Sequence, residues 1–276
     1  MTEAGELLGA GRVRELLKAH GVRPSRALGQ NFVVDPNTIR KTLAIAGVSS
    51  SDRVMEIGAG AGSLTVGLAA CAPSVVAIER DERLIPLLQE VLANVPNVEL
   101  IHGDALKLDL SRMRTSSLVA NLPYNIAALL VLKVLEEAPE VQSLTVMTQK
   151  EVGERLAAVP GTKSYGATSV LVAFLATARV EAQVSRRAFW PVPRVDSVIV
   201  RIARRPEPSD SPREIFFKVV KAAFSQRRKT LRNSLADLAG SGETAEKILR
   251  SAGIEPSLRA EMLSADDFLR LCSEFD

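Results

Sequence analysis

Cysteine and histidine are scarce in this chain. Cys71 and Cys272 are the only thiols and lie far apart. They frame neither a disulfide scaffold nor a metal spacing, so a reducing, cytoplasmic setting is expected. His20 and His102 are the only histidines, which excludes a histidine-rich metal site, and no metal is expected. The longest apolar stretches, such as Val170–Ala176, fall far short of the ~20 residues a membrane helix needs. The N-terminal MTEAGELLGAGRVRELLKAHG has early acids and no apolar core, so it does not read as a secretory signal. Neither sign of charge dominates, since the formal net charge is only +3. That balance by itself says little about partners. No internal repeat is visible.

What is present is a chain of 276 residues, 46% hydrophobic, enough for one large domain and a small one. Strand-like runs recur at 53–57 (RVMEI), 74–79 (SVVAIE), 98–101 (VELI), 117–120 (SLVA), 143–147 (SLTVM), near 178–184 and at 196–202 (DSVIVRI), with helical patterns between most of them. This alternation predicts a mostly parallel sheet with helices on both faces. Asp35-Pro36 reads as a helix N-cap followed by proline at the first turn, with Gly47 as the C-cap. Arg205–Arg213, RPEPSDSPR, reads as a linker, and beyond it nearly everything has helical periodicity. The expected organisation is an α/β domain over 1–205, with an N-terminal helical arm at 1–47, and a helical domain over 206–276.

In such sheets ligands bind beyond the carboxyl ends of the strands, and the unusual residues sit there. The first long strand runs into EIGAGAGSLT, where Gly58, Gly60 and Gly62 alternate before a helix begins. Glycines here let the backbone turn sharply and approach a ligand, although a tight strand-to-helix turn needs glycine anyway. The next strand ends in Glu79, placed to accept both hydroxyls of a ribose, while Asp81 reads as the helix cap. Asp104, after Gly103, is either a turn residue or an acceptor for an adenine amine. The fourth strand ends in Asn121-Leu122-Pro123-Tyr124. A turn needs the proline and can use the asparagine, but does not need a tyrosine directly after them. An amide oxygen with nearby carbonyls can accept both hydrogens of an exocyclic amine, and a tyrosine face can stack on the ring that carries it. Between Ile215 and Ala236 lie six basic residues and no acid, a candidate phosphate-binding surface or a plain basic face.

These residues resemble the S-adenosylmethionine-dependent rRNA adenine N6,N6-dimethyltransferases over nearly the whole chain. LGQNFVVD (28–35), EIGAGAGSLT, AIERD (77–81), GDAL (103–106) and NLPY (121–124) follow in the family's order. FWPVPRVDS (189–197) and FSQRRKTLRNSL (224–235) are most similar to the bacterial branch that dimethylates two adjacent adenosines near the 3′ end of 16S rRNA. Ala59 stands where the family often has proline, which alters only turn rigidity. The resemblance implies a Rossmann-like class I methyltransferase sheet with a small C-terminal helical domain that binds RNA. It implies S-adenosylmethionine as methyl donor and rRNA of the 30S subunit as partner of a monomer. It places Gln30, Asn31 and Val33 over the cofactor, Gly58 and Gly60 along its methionine portion, and Glu79, with Arg80 beside it, at the ribose. Asp104 and Ala105 would meet the cofactor's adenine. Asn121 would bind both the cofactor and the target base, and Leu122, Pro123 and Tyr124 would hold that base, with Phe189 covering its other side. Arg227, Arg228, Lys229 and Arg232 would contact RNA phosphates. Read from the residues alone, Arg12, Arg14, Lys18, Arg23 and Arg26 are either a second contact arm or a solvated helix face.

Three other classes explain part of the pattern. A nicotinamide-dependent oxidoreductase would use the glycines and Glu79 but leaves NLPY and the basic segment idle. A DNA adenine methyltransferase usually carries Pro-Pro where this chain has Leu122-Pro123. A non-catalytic RNA-binding assembly factor would not need Glu79, Asp104 and NLPY intact.

Overall fold

Short β-branched runs form one seven-stranded sheet, and what covers it follows from which faces they bury. The computed structural model describes residues 7–25, 28–206, 213–226 and 228–275. Its strands are Phe32–Val33 (β1), Arg53–Ile57 (β2), Ser74–Glu79 (β3), Val98–His102 (β4), Ser117–Asn121 (β5), Ser143–Gln149 (β6), Ala176–Val184 (β7), Phe189–Trp190 (β8) and Ser197–Arg204 (β9). The sheet order is β4-β3-β2-β5-β6-β9-β7. The pairs β4-β3, β3-β2, β2-β5 and β5-β6 are parallel, and β9 runs antiparallel to β6. Every residue from Val75 to Ile78 is buried. Successive side chains of a strand point to opposite faces, so both faces of the sheet are covered, as the near-continuous apolar runs require.

The helices of this first part are Ala10–Ala19 (α1), Pro36–Ala46 (α2), Ser63–Ala69 (α3), Ile85–Leu92 (α4) and Ala127–Glu137 (α5). One apolar cluster joins Leu16 and Leu17 of α1 to Leu87, Leu88 and Val91 of α4. A second joins Ile39 of α2 and Leu68 of α3 to Val54, Val75 and Phe189. The caps read from sequence are present: Asp35 accepts from the N–H groups of Asn37 and Thr38, and Gly47 is left-handed at φ 61° with its N–H on Leu43 O. The chain leaves β2 toward β3 and β4, then crosses back to β5 on the other side. β2 is therefore the switch point, and a crevice opens at its carboxyl end between the two directions of travel.

The antiparallel pair β1 and β8 was not foreseen. Phe32 lies opposite Trp190 and Val33 opposite Phe189. Two-residue strands from distant parts of the chain leave no periodicity to read.

Two compact units are formed: residues up to Gly153 with Ala178–Arg204, and Glu154–Thr177 with Arg205–Asp276. The sequence reading drew one break at 205; residues 154–177 belong instead with the helical unit. The reason is the helix Ala167–Leu175, numbered α7 after Lys150–Leu156 (α6). Its Phe174 ring stacks on Phe216, centroids 4.1 Å apart, and Val170 is buried with Val219, Phe268 and Leu271. Tyr165 O–H also donates to Leu263 O at 2.7 Å. The later helices are Arg213–Ala223 (α8), Leu231–Ser234 (α9), Ala236–Ala239 (α10), Gly242–Ser251 (α11) and Ala265–Cys272 (α12). The run RKTLRNSLADLAG thus gives two short helices rather than one. Leu231 N–H and Arg232 N–H are taken by Leu258 O and Pro256 O, which ties the start of α9 to another segment. Of the proposed linker, residues 207–212 lie outside the described residues. No helix among the described residues is long and apolar enough to cross a membrane.

Candidate active site

The turn after β2 needs its glycines. Gly58, Gly60 and Gly62 have φ of 82°, 60° and 85°, a region that side chains with a Cβ rarely enter. Gly58 N–H donates to Ile78 O at 2.8 Å, which ties the turn to β3. A Cβ on Gly60 would lie 3.1 Å from Phe32 Cδ1, so the β1 segment packs directly on the loop. Gly62 closes the turn and leads into α3. The pocket that results is lined from the ends of β2, β3 and β5, the turn after β4, and residues 28–33.

Glu79, at the end of β3, is buried. Its Oε2 accepts from Gly60 N–H and its Oε1 from Asp81 N–H, both at 2.8 Å. Each oxygen keeps a second acceptor direction. Burial pushes this carboxyl above its ordinary range, against the opposing backbone N–H groups of Asp81, Gly60 and Arg80. A rigid acceptor fixed by two amides is what a diol requires. Asp81 serves differently. Arg83 grips it at 2.6 and 2.8 Å, which holds its carboxyl below the usual range, and it also accepts from Gln30 Nε2 at 2.8 Å.

Gln30 therefore lines the pocket but spends its side chain on the protein, since its Oε1 also accepts from Ser25 N–H at 2.7 Å. It latches the 28–33 segment to the end of β3. Asn31 and Val33 line the pocket too, and Asn31 O accepts from Asn121 Nδ2 at 3.0 Å. Gly29 approaches the NLPY loop so closely that a Cβ there would lie 3.1 Å from Asn125 Oδ1.

Asp104 both builds a turn and lines the pocket. Its Oδ1 accepts from Leu106 N–H at 3.0 Å, a turn-building bond. Its carboxylate also faces the pocket with Ala105, and its Oδ2 lies 3.5 Å from Arg80 Nε.

The NLPY loop carries the most distinctive chemistry. With Nδ2 given to Asn31 O, Asn121 Oδ1 is buried and has no hydrogen-bond partner among the described residues. Leu122 is buried and its N–H is held by Met147 O at 3.0 Å. Pro123 O closes the turn by accepting from Ile126 N–H at 3.2 Å, and no backbone hydrogen bond falls on Leu122 O among the described residues. Two acceptors at the end of β5 are thus left for a donor from outside. Tyr124 is half-buried, and its hydroxyl meets Ser197 Oγ at 2.8 Å, which fixes the ring; burial pushes the phenol up.

Phe189 is a correction. It is 1% exposed, pairs with Val33 in the β1-β8 ribbon, packs with Ile39 and Leu68, and is absent from the pocket wall. Burial of its ring in the core explains its place better than contact with a base. Glu56 was overlooked: it lines the pocket beside Ser63, and its place two residues before Gly58 was the only signal.

In the helical unit, Arg228 and Lys229 are exposed, and Arg227 lies outside the described residues. Arg232 is exposed but ion-paired to Glu246 at 2.9 Å, so part of its charge is met internally. In the N-terminal arm Arg12 pairs with Glu15 and Glu90, Arg14, Lys18 and Arg23 are exposed, and Arg26 lies outside the described residues. Among the described residues no cluster of three or more His, Cys, Asp or Glu is disposed to hold a metal.

Comparison with known proteins adds to this geometry. A family model described as ribosomal RNA adenine dimethylase matches residues 22–276. The chain is 44% identical to a ribosomal RNA small subunit methyltransferase A of Leifsonia xyli, over 97% of this chain and 98% of the relative. It is also 44% identical to the protein of that name from Thermobifida fusca, over 98% of each. Among solved structures, a dimethyladenosine transferase from Plasmodium falciparum aligns with a TM-score of 0.77 at 27% identity, over 87% of this chain and 96% of that one. The 23S rRNA methyltransferase ErmE aligns with a TM-score of 0.66 at 29% identity, over 89% and 100%.

Proposed function

The chain belongs to the ribosomal RNA adenine dimethylase family, and from that premise we propose that it methylates N6 of two adjacent adenosines near the 3′ end of 16S rRNA during assembly of the 30S subunit. It is an S-adenosylmethionine-dependent methyltransferase, and its acceptor is rRNA. The observation that carries the finer reading is the buried, unpartnered Asn121 Oδ1 beside the unengaged Leu122 O and the anchored ring of Tyr124. The likeness to small-subunit enzymes at 44% identity, against 29% for the 23S enzyme, favours the small-subunit target.

The donor set fits the cofactor. Glu79 offers a rigid diol acceptor, Asp104 an acceptor for an amine, and Gly58 and Gly60 a wall with no side chains in the way. When bound, S-adenosylmethionine supplies an electrophilic methyl. The chain's own work is on the other reactant. The N6 lone pair is delocalised into the purine ring, which makes N6 a poor nucleophile. Accepting both N–H bonds, at Asn121 Oδ1 and Leu122 O, favours the tetrahedral nitrogen of the transition state over the planar ground state. Tyr124 offers its face to the base and fixes the line of approach; well-oriented reactants gain roughly 7–11 kcal/mol. No strong base is needed in the loop, because N6 becomes acidic as it is methylated.

RNA would be held through phosphates by Arg228 and Lys229, with Arg227 beside them in sequence, and read by shape. Replacing Arg228 and Lys229 by alanine should weaken binding to all RNAs alike, and each loss should flatten the salt dependence of log K by about one unit. Filter binding over a salt series checks this; an unchanged slope would place the phosphate contacts elsewhere. In this reading the protein works as a monomer in the cytoplasm, a setting that suits its two free cysteines.

The deciding experiment is transfer of labelled methyl from S-adenosylmethionine to small subunits lacking the modification, followed by nucleoside analysis. N6,N6-dimethyladenosine at both positions is the expected product. Cofactor binding without incorporation would defeat the 16S assignment while leaving the pocket's role intact.

A further inference from the structure

Arg83 stands outside the pocket wall, yet a run of contacts leads from it to Asn121. Its Nε donates to Asp81 Oδ1 at 2.8 Å and its Nη2 to Asp81 Oδ2 at 2.6 Å. This planar fork fixes both oxygens of the carboxylate at once. Asp81 Oδ2 also accepts from Gln30 Nε2 at 2.8 Å, and Gln30 Oε1 accepts from Ser25 N–H at 2.7 Å. The backbone repeats the second tie, since Gln30 N–H donates to Ser25 O at 3.1 Å. Beyond Gln30, Phe32 and Val33 pair with β8. Asn31 is therefore held between two anchors, and its carbonyl accepts from Asn121 Nδ2 at 3.0 Å. An amide group is planar, so fixing Nδ2 also fixes Oδ1, the buried acceptor without a partner among the described residues.

We propose that Arg83 is a positioning residue for methyl transfer: by gripping Asp81 it holds Gln30, and through the 28–33 segment it sets the direction of Asn121 Oδ1. This rests on the reading in which Asn121 Oδ1 accepts from N6 of the target base. Arg83 itself touches neither reactant.

An ordinary exposed ion pair would contribute little. This one differs because the Asp81 side chain is only 5% exposed, against 47% for Arg83, and because one oxygen serves both Arg83 and Gln30. Asp81 is also a junction. Its N–H donates to Glu79 Oε1 at 2.8 Å, so its backbone holds the acid at the end of β3 while its side chain holds the segment over the pocket. Without the fork, that carboxylate keeps only the N–H of residue 83 and Gln30 among these donors, and it can turn about its own axis. Gln30 then loses a fixed partner, and Asn31 O can drift. Methyl transfer is sensitive to such drift, since a misplacement of about 1 Å can cost about 100-fold in rate. Binding of RNA phosphates, made elsewhere, is not.

The test is single-turnover methyl transfer to small subunits lacking the modification, at saturating S-adenosylmethionine and RNA, for wild type, Arg83→Met, Gln30→Ala and the double variant. Kd for cofactor and for RNA is measured alongside. Arg83→Met should lower the rate by about 10- to 100-fold. Its RNA Kd should stay unchanged, and its cofactor Kd should rise by a smaller factor than the rate falls. Gln30→Ala should behave alike, and the double variant should be no slower than the slower single one, because both break the same chain. A loss smaller than about tenfold in Arg83→Met would overturn the proposal. So would a double variant whose loss is the product of the two single losses, since independent effects multiply. Equal losses in rate, cofactor affinity and RNA affinity would mark a general structural effect and overturn it too. Wild type that transfers no methyl to these subunits would instead overturn the functional reading, and this inference with it. Arg83→Met leaves two donors on the Asp81 carboxylate and should melt cooperatively. If it does not, Gln30→Ala decides alone, and an undiminished rate there overturns the relay.

Discussion

Asn121→Ala should lower the single-turnover methylation rate by about 10²–10³-fold, the usual cost of deleting one preorganised transition-state acceptor or donor. The substitution removes the buried Oδ1 that has no partner in the protein. It also removes the Nδ2 bond to Asn31 O, which steadies the segment over the pocket. A neutral hydrogen bond contributes about 1 kcal/mol, so cofactor affinity should fall by no more than about fivefold. The two losses are therefore unequal, and the measurement must separate them. Rates at saturating RNA and cofactor report the first, and calorimetric titration of the cofactor reports the second. A rate change below tenfold would mean that Oδ1 is not the acceptor for N6.

The second large effect belongs to Tyr124. Taking the target base out of its stack costs a few kcal/mol, and stacking on an aromatic face returns about 1–3 kcal/mol. Tyr124→Ala should accordingly lower kcat/KM for RNA by about 5- to 150-fold. Affinity for S-adenosylmethionine should stay nearly unchanged, because the loss falls on the base and not on the cofactor. Tyr124→Phe separates two contributions. It keeps the ring and deletes the bond to Ser197 Oγ, and should cost about 1 kcal/mol or less. Equal losses in methylation and in cofactor binding for the alanine variant would contradict a stacking role. A phenylalanine variant as impaired as alanine would show that the hydroxyl anchor, not the ring face, matters.

Both predictions concern residues that could be read from sequence. NLPY stood out because a tyrosine has no reason to follow a proline turn at the end of a buried strand. Glu79 stood out because an acid ended an otherwise apolar run. The glycine turn was weaker, since strand-to-helix turns need glycine in any case; the positive φ angles and the 3.1 Å that a Cβ on Gly60 would leave to Phe32 Cδ1 show how little room it has. Gln30 could be placed at the pocket but not in its role. Its carboxamide is spent on Asp81 and Ser25, partners 51 and 5 residues away that no spacing rule selects.

By itself, the sequence determined the strands of the seven-stranded sheet, the order of the site loops along the chain, the glycine turn and the acid and amide at strand ends. These are local features, set by alternation, by backbone freedom and by which residue closes an apolar run. Only the tertiary structure decided that Phe189 is core, that residues 154–177 pack with the helical unit, that Arg232 is partly neutralised by Glu246, and that Glu56 is buried in the pocket wall. Each depends on what faces a side chain from across the fold. A phenylalanine beside a proline motif reads the same whether its ring meets a ligand or Ile39 and Leu68. A glutamate reads the same whether or not an amide reaches it. Burial and partnership are properties of assembled surfaces, and they arise only when the strands have been brought side by side.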